Sequence, residues 1–165
     1  MKLKFLALTM VTIFSTGNVQ AIPDTESRHS SSYLMGINNP YLQTFKSKYS
    51  AEDSILKIKQ VLGNNNIKVF SIIDHQAAAK EVGLDMLFSS VVIFGKPQLG
   101  TPMMIESPTL AIDLPLKALV WESNQGEIFV SLNKPKIIAE KHNIDQRNVE
   151  KMDGLVKLIS ESVTK

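Results

Sequence analysis

The chain has 165 residues, of which 44% are hydrophobic and 21% charged, and its formal net charge is +2. This length and composition are those of a globular protein with room for one ordinary domain. The chain has no cysteine, which excludes disulfides, thiolate metal sites, a cysteine nucleophile and a lipid-modified cysteine.

The first 21 residues have the three parts of a secretory signal peptide. Lys2 and Lys4 provide positive charge, residues 5–14 are apolar except for two threonines, and Ala21 ends a stretch with small residues where a signal peptidase cuts. The apolar run is too short to span a bilayer comfortably. We therefore predict cleavage after Ala21, a periplasmic or secreted location in a bacterium, and no stable membrane anchor.

Loss of this segment changes the charge balance of the protein. Without Lys2 and Lys4, 16 basic residues remain against 16 acidic ones. A neutral domain has no electrostatic attraction to phosphate backbones, so nucleic acid is not an expected partner.

The mature chain is predicted to begin with a flexible lead-in, residues 22–40, which holds prolines, a glycine and a run of serines but no periodic pattern. His29 lies in this segment and is interpreted as a solvated linker residue. Residues 41–49 carry aromatic side chains at even spacing on one face, which predicts a half-buried strand. Ser50 and Asp53 then form a variant of the capping box that starts a helix.

The rest of the chain predicts further strands and helices. The helix after Ser50 ends at Gly63 and the asparagines that follow it. The consecutive apolar residues of a third strand favour a central position in the sheet. In chain order, we predict a strand at 67–73, a short helix at 75–82, the third strand at 89–94, a long irregular or part-helical stretch up to Pro115, and a hairpin of strands 116–122 and 127–132.

The chain ends in two predicted helices. The first covers residues 136–142. The second has apolar residues at alternating spacings of three and four, which form a narrow stripe: Val149, Met152, Val156, Ile159 and Val163. We expect this stripe to pack on the sheet. The alternative is a partner helix in a short coiled coil, which would make the protein a homodimer.

This order of elements predicts an α+β fold, a two-layer sandwich with a mostly antiparallel sheet and helices on one face. Short motifs follow one another along residues 41–142. They are the helix opened by Ser50, Val69-Phe70, Ile73-Asp74-His75 with Ala78, Phe94-Gly95-Lys96-Pro97 with Gly100-Thr101, Ala111-Ile112-Asp113-Leu114-Pro115-Leu116-Lys117, and His142. In order and spacing they resemble the prokaryotic domain-of-unknown-function family numbered 302.

The resemblance implies a TATA-binding-protein-like topology and implies no activity. It divides the mature chain into a family-like domain at residues 41–147 and a C-terminal amphipathic helix at 148–165 that packs on the domain. The chain departs from the family at Lys96, where asparagine is more usual, so the resemblance assigns no role to that side chain.

Five polar residues are candidates for binding a ligand. Asp74 stands where a strand gives way to a helix, so we interpret it first as a helix cap. His75 is not needed for capping and could be a ligand, a general base or a half-buried donor. Lys96, beside a helix start that opens with Pro97, is interpreted first as part of a structural turn and second as part of an anion site.

The other two candidates are Asp113 and His142. Asp113 could cap a turn, bond to neighbouring amides or meet His75. His142 lies in the last turn of a helix, where a histidine is favourable through the helix dipole alone.

The sequence contains no known catalytic or metal-binding motif that would assign a role to these residues. The chain has no Gly-x-Ser-x-Gly sequence, no P-loop and no paired carboxylates. Met86, Met103 and Met104 could suit a soft metal, but adjacent residues 103 and 104 point in different directions, so we expect no more than one of them at any site and predict no metal.

We therefore expect an exported domain that binds a small ligand or partner through Asp74, His75, Lys96, Asp113 and His142, with the cofactor undetermined. One alternative is a hydrolase or isomerase with His75 as general base and Asp113 as its orienting partner. The other alternative is a structural module that self-associates through the C-terminal stripe or a sheet edge.

Overall fold

The computed structural model describes residues 36–165. The signal peptide predicted at residues 1–21, His29 and most of the lead-in predicted at 22–40 lie outside the described residues.

The described chain forms one five-stranded antiparallel sheet with the order β1-β5-β4-β3-β2. The third strand is internal, as its apolar run predicts, whereas β1 and β2 are the edges. The strands are β1 Leu42–Lys46, β2 Lys68–Asp74, β3 Ser89–Gly95, β4 Leu116–Glu122 and β5 Ile128–Asn133.

Five α-helices and a short 3-10 helix connect and cover these strands within residues 36–165. They are α1 Ala51–Asn64, α2 His75–Glu81, α3 Pro97–Glu106, the 3-10 helix Pro108–Ile112, α4 Pro135–His142 and α5 Gln146–Thr164. The order of elements and the α+β class agree with the sequence prediction. The TATA-binding-protein-like topology is compatible with this strand order and stays a prediction.

The local signals in the sequence account for several boundaries. The Ser50 hydroxyl accepts a hydrogen bond from the Asp53 N–H at 3.1 Å and so caps α1. In the β4–β5 hairpin, Gly126 adopts a φ of 74° and donates its N–H to the Ser123 carbonyl. The predicted cap and the predicted turn are both confirmed.

The first strand is shorter than predicted. Pairing with β5 covers only Leu42–Lys46, and Tyr41 before it is 61% exposed, so residues 41–49 do not form one half-buried strand. The chain turns away because Ser47 is buried, and its hydroxyl is bonded to the Ser54 hydroxyl on α1 at 2.7 Å. Equal spacing of aromatics therefore predicts the strand but not its ends.

The core lies between one face of the sheet and two long helices. Side chains from alternate positions of β3, β4 and β5 meet apolar side chains of α1 and α5. All members of the predicted C-terminal stripe are buried here, none more than 6% exposed: Val149, Met152, Val156, Ile159 and Val163. The stripe packs within the chain, on α1 and the sheet, so it leaves no free seam for a coiled-coil partner.

The stretch between β3 and β4, predicted to be irregular or part-helical, is largely helical. Pro97 stands in the first turn of α3, where its missing N–H leaves no bond unmade. Pro102 lies inside the same helix, and Met103 is buried under it. This stretch covers one end of the sheet, where β3 ends and β4 begins.

The sheet thus has two distinct ends. At one end Lys68 faces Gly95, and Phe94 faces Leu116, so the start of β2 lies beside α3 and the start of β4. At the other end Asp74 faces Ser90, and the chain continues into α2. We call these the α3 end and the α2 end.

Candidate functional site

Asp74 and His75 lie at the α2 end, on the surface. The Asp74 carboxylate accepts a hydrogen bond from the Ala77 N–H at 2.9 Å, which confirms the predicted helix cap. His75 is exposed, and α2 buries none of its residues. Local helix capping therefore explains Asp74, and His75 is an exposed residue in the first turn of α2.

Asp113 and His142 lie toward the α3 end, because Asp113 precedes β4 and α4 begins just after β5 ends there. Ser90, opposite Asp74, and Phe94, opposite Leu116, are four residues apart along β3, which is about 13 Å at ~3.3 Å per residue. The alternative in which His75 meets Asp113 in a shared pocket is therefore wrong. Both residues stand where an element ends or begins, but at opposite ends of the strands.

The structure instead brings Asp113 and His142 together. An Asp113 carboxylate oxygen, Oδ2, lies 2.5 Å from His142 Nε2 and 2.9 Å from Lys141 Nζ. The other ring nitrogen, Nδ1, lies 3.0 Å from the Thr109 hydroxyl. The Ser107 hydroxyl donates to the His142 carbonyl at 2.9 Å. These contacts join the 3-10 helix region to the last turn of α4, where His142 was predicted.

Two opposing effects set the charge of Asp113. Partial burial raises the pKa of its carboxyl group, but the hydrogen bonds and positive charges of His142 and Lys141 lower it by more. The net result is an Asp113 pKa below its ordinary value, so this carboxylate is ionised in the folded protein at neutral pH.

The His142 ring at the centre of this polar cluster is closed to solvent, whereas Thr109 and Lys141 are exposed. The His142 side chain is 3% exposed and both of its ring nitrogens have partners, while the Asp113 side chain is 20% exposed. A buried polar network whose members are all bonded holds its elements in one arrangement. The arrangement therefore ties α4 to the segment that precedes β4.

A cavity of about 150 Å³ lies beside this segment, at the α3 end. Its wall comes from the end of β3, from α3, from the Leu114-Pro115 turn and from α5. Among residues 36–165, Lys96 is the only charged residue that lines the cavity. Most of the lining consists of apolar side chains: Phe70, Leu99, Met103, Met104, Leu114, Leu116, Met152 and Leu155. Apolar concavities with few polar groups are where proteins bind small molecules.

Two backbone features shape this pocket. A β-bulge in β2 makes Phe70 an extra residue between Val69 and Ser71, and Phe70 forms part of the wall; re-aiming a side chain is a common result of a bulge. Gly100 in α3 has no side chain where a Cβ would lie 3.5 Å from Leu114 Cδ1. A larger residue at 100 would extend into the pocket.

The expectation that Met103 and Met104 cannot serve one site is wrong. Both line the pocket, together with Met152 from α5. Adjacent residues on a helix are turned by about 100° and not 180°, so two long flexible side chains can border one wide cavity. Met86 is elsewhere, at the α2 end, where its carbonyl accepts a hydrogen bond from Gln76.

Of the five predicted site residues, the structure places Lys96 in the pocket lining and pairs Asp113 with His142 beside the pocket segment, whereas Asp74 and His75 stand apart. Sequence reasoning missed Thr109, Phe70 and Met152. Thr109 has no motif around it, and Met152 was recognised only as a core residue. In the sequence, the signal for the bulge was that Phe70 interrupts a strand of mostly β-branched residues.

Residues 36–165 contain no group of three or more histidine, aspartate or glutamate side chains placed to hold a metal ion. No helix among them has the length and hydropathy of a membrane span.

Comparison with known proteins agrees with the fold. The chain is similar to a solved structure of an uncharacterized conserved DUF302 protein from Bacillus stearothermophilus, with a TM-score of 0.65 at 18% identity, over 75% of this chain and 96% of that one. At this identity the likeness shows the fold alone.

Two curated relatives come from Brucella. "Fluoride-specific ion channel FluC 1" of Brucella suis biovar 1 is 35% identical over 103 residues, which is 62% of this chain and 41% of that protein. "Fluoride-specific ion channel FluC 2" of Brucella melitensis biotype 1 is 35% identical over 103 residues, or 38% of its length. The chain spans about two fifths of the length of these relatives.

The family comparison reaches further along the chain than the motifs recognised in the sequence. The model of the domain of unknown function DUF302 matches residues 43–161. This match takes in most of α5, which follows the last recognised motif at His142. The chain belongs to the DUF302 family.

Proposed function

We propose that this DUF302 domain binds a small, mostly apolar molecule in the pocket at the α3 end, without converting it chemically. The observation that supports this most directly is the cavity itself, with its apolar lining and one charged residue, Lys96. Its wall is built from helices and strands of the core, so the space is pre-formed.

The side chains that line the cavity also support the binding of a ligand. Met103, Met104 and Met152 border the cavity, and flexible thioether side chains adapt to ligands of varied shape. A dry apolar cavity of about 150 Å³ in another protein binds benzene, so the volume is sufficient for a compact ligand.

The test is a screen of small apolar compounds by thermal shift on the purified protein and on Gly100→Met. Ligands that bind only the native state raise the melting temperature, and a side chain at 100 should fill the space they need. Gly154→Met is the matched control, because Gly154 also lies inside a helix but has nothing within 4 Å of its Cβ position.

The proposal predicts stabilisation of the wild type and of Gly154→Met by the same compounds, and none of Gly100→Met. Equal stabilisation of all three proteins would place binding elsewhere. No stabilisation by any compound would remove the proposed function.

We also propose that the protein is exported and acts in the cell envelope. Support comes from the sequence alone, from the positive start, the short apolar run and the small residues up to Ala21. Mass spectrometry of the protein recovered from the periplasmic fraction should give a chain that begins at Ile22. An intact chain recovered from the cytosol would contradict export.

Hydrolysis is a second candidate function, and a separate observation favours it. Thr109, His142 and Asp113 form a continuous chain of hydrogen bonds, the order of a hydroxyl nucleophile, a base and an orienting carboxylate. Burial of the His142 ring and the bond of Lys141 to Asp113 count against it. This histidine replaces His75 as the partner of Asp113 in any such mechanism.

Ester hydrolysis by wild type, Thr109→Ala and Thr109→Ser decides the matter. A nucleophile predicts turnover by the wild type that is lost in Thr109→Ala and retained in part in Thr109→Ser. Turnover that is absent from the wild type, or unchanged in Thr109→Ala, would eliminate this candidate.

A further inference from the structure

We propose that the pocket selects a small monocarboxylate, with an apolar body of about five or six carbons in the cavity and its carboxylate at Lys96. This inference rests on the proposed function and names the class of ligand. The three observations that support it are the charge of the lining, the lack of a partner for Lys96 and the volume.

The charge of the lining is one-sided. Among residues 36–165, Lys96 is the only charged residue that lines the pocket. It is half-buried, at the start of α3. A cation at the rim of an apolar cavity favours ligands with a negative group at one end and a hydrocarbon body at the other.

Lys96 has no counter-charge within residues 36–165. It makes no ion pair or side-chain hydrogen bond there, whereas Lys141 is bonded to Asp113. Asp113, which directly precedes the pocket residue Leu114, is already occupied by His142 and Lys141. A ligand carboxylate would supply the charge that the described protein does not.

The volume limits the apolar body. A cavity of about 150 Å³ is the size that holds one benzene molecule elsewhere, so a chain of about five carbons besides the carboxylate, or a single six-membered ring, fills it. Each buried methylene should tighten binding by about fourfold until the cavity is full. Hexanoate and benzoate are therefore the probes of choice.

Calorimetric titration of the purified protein with carboxylates from butanoate to decanoate tests the size limit. The affinity should rise by about fourfold per carbon up to hexanoate and then stop rising. A rise that continues unchanged to decanoate would contradict filling of this cavity, because surface adsorption of hydrocarbon has no such limit.

Substitution of Lys96 tests the charge. In Lys96→Gln we expect hexanoate to bind about fivefold more weakly and hexanol to bind as in the wild type. In Lys96→Glu the preference should reverse, so that hexylammonium binds more tightly than hexanoate. Lys80→Gln is the control, because Lys80 lies on α2 at the other end of the sheet.

The outcomes separate this inference from the proposed function. If hexanol and hexanoate bind equally, and Lys96→Gln changes neither, the pocket binds small molecules but does not select an anion. If no probe binds to the wild type or Gly154→Met, both the inference and the proposed function fail.

Discussion

Two aspartate–histidine pairs occupy the two ends of the sheet, and they differ in nearly every physical respect. Asp74 and His75 are neighbours in sequence and exposed, and Asp74 caps a short helix. Asp113 and His142 are 29 residues apart, largely buried, and directly bonded. The pair that the sequence displays most plainly is the less constrained one.

The comparison shows how a polar pair gains its role from tertiary structure. At the α2 end, water solvates each side chain and no neighbour constrains it beyond the cap. At the α3 end, the surrounding elements bury the His142 ring, and both of its nitrogens bond to protein groups. A buried polar group without a partner costs free energy, so loss of one member there has a large effect.

The largest contrast is expected between His142→Ala and His75→Ala. His142→Ala leaves the Asp113 carboxylate and the Thr109 hydroxyl without that partner and opens a void, which we expect to lower the free energy of unfolding by about 3 kcal/mol. His75→Ala should change it by less than about 0.5 kcal/mol. Urea unfolding followed by the fluorescence of Trp121, the single tryptophan, measures the free energy of unfolding of both variants. Equal effects of the two substitutions would contradict the difference between the two aspartate–histidine pairs.

Asp113→Asn should have the next largest effect, about 1–2 kcal/mol at pH 7, because hydrogen bonds to a charged group are lost. The pKa of Asp113 is lowered in the folded state. Its carboxylate therefore stabilises the fold above the ordinary aspartate pKa of about 3.9, and this contribution is lost as the pH falls through the lower, folded-state value.

Between pH 7 and pH 2, the free energy of unfolding should thus fall more steeply for the wild type than for Asp113→Asn. Asp145, whose pKa is lowered by the backbone N–H of Asn148, caps α5 in both proteins and cancels in the difference. Parallel pH profiles would show that the Asp113 charge does not contribute.

Asp74→Ala should have a smaller effect, about 0.5–1 kcal/mol, through loss of the α2 cap. Because α2 buries no side chain, we expect the loss to appear as faster hydrogen exchange of the α2 amides and not as global unfolding. Asp74→Asn is the control, since asparagine also caps helices. Global destabilisation by more than about 2 kcal/mol would show that α2 is part of the core.

The sequence predicted the fold better than the site, for physical reasons. The α5 stripe, the Ser50 cap and the β4–β5 turn depend on residues a few positions apart, and periodicity or turn chemistry records them. The Asp113–His142 pair and the pocket depend on which strand ends meet. No local pattern places His142 beside Asp113, or turns Phe70 toward α3 through a bulge.

Methionine-methyl NMR of the protein during titration with hexanoate tests most directly whether the α3 end is the binding end. Met103, Met104 and Met152 line the pocket, while Met86 lies at the α2 end. The signals of the three pocket methyl groups should shift and saturate together while that of Met86 stays in place. A shift of Met86 alone, or of no methionine at all at saturating hexanoate, would contradict the account.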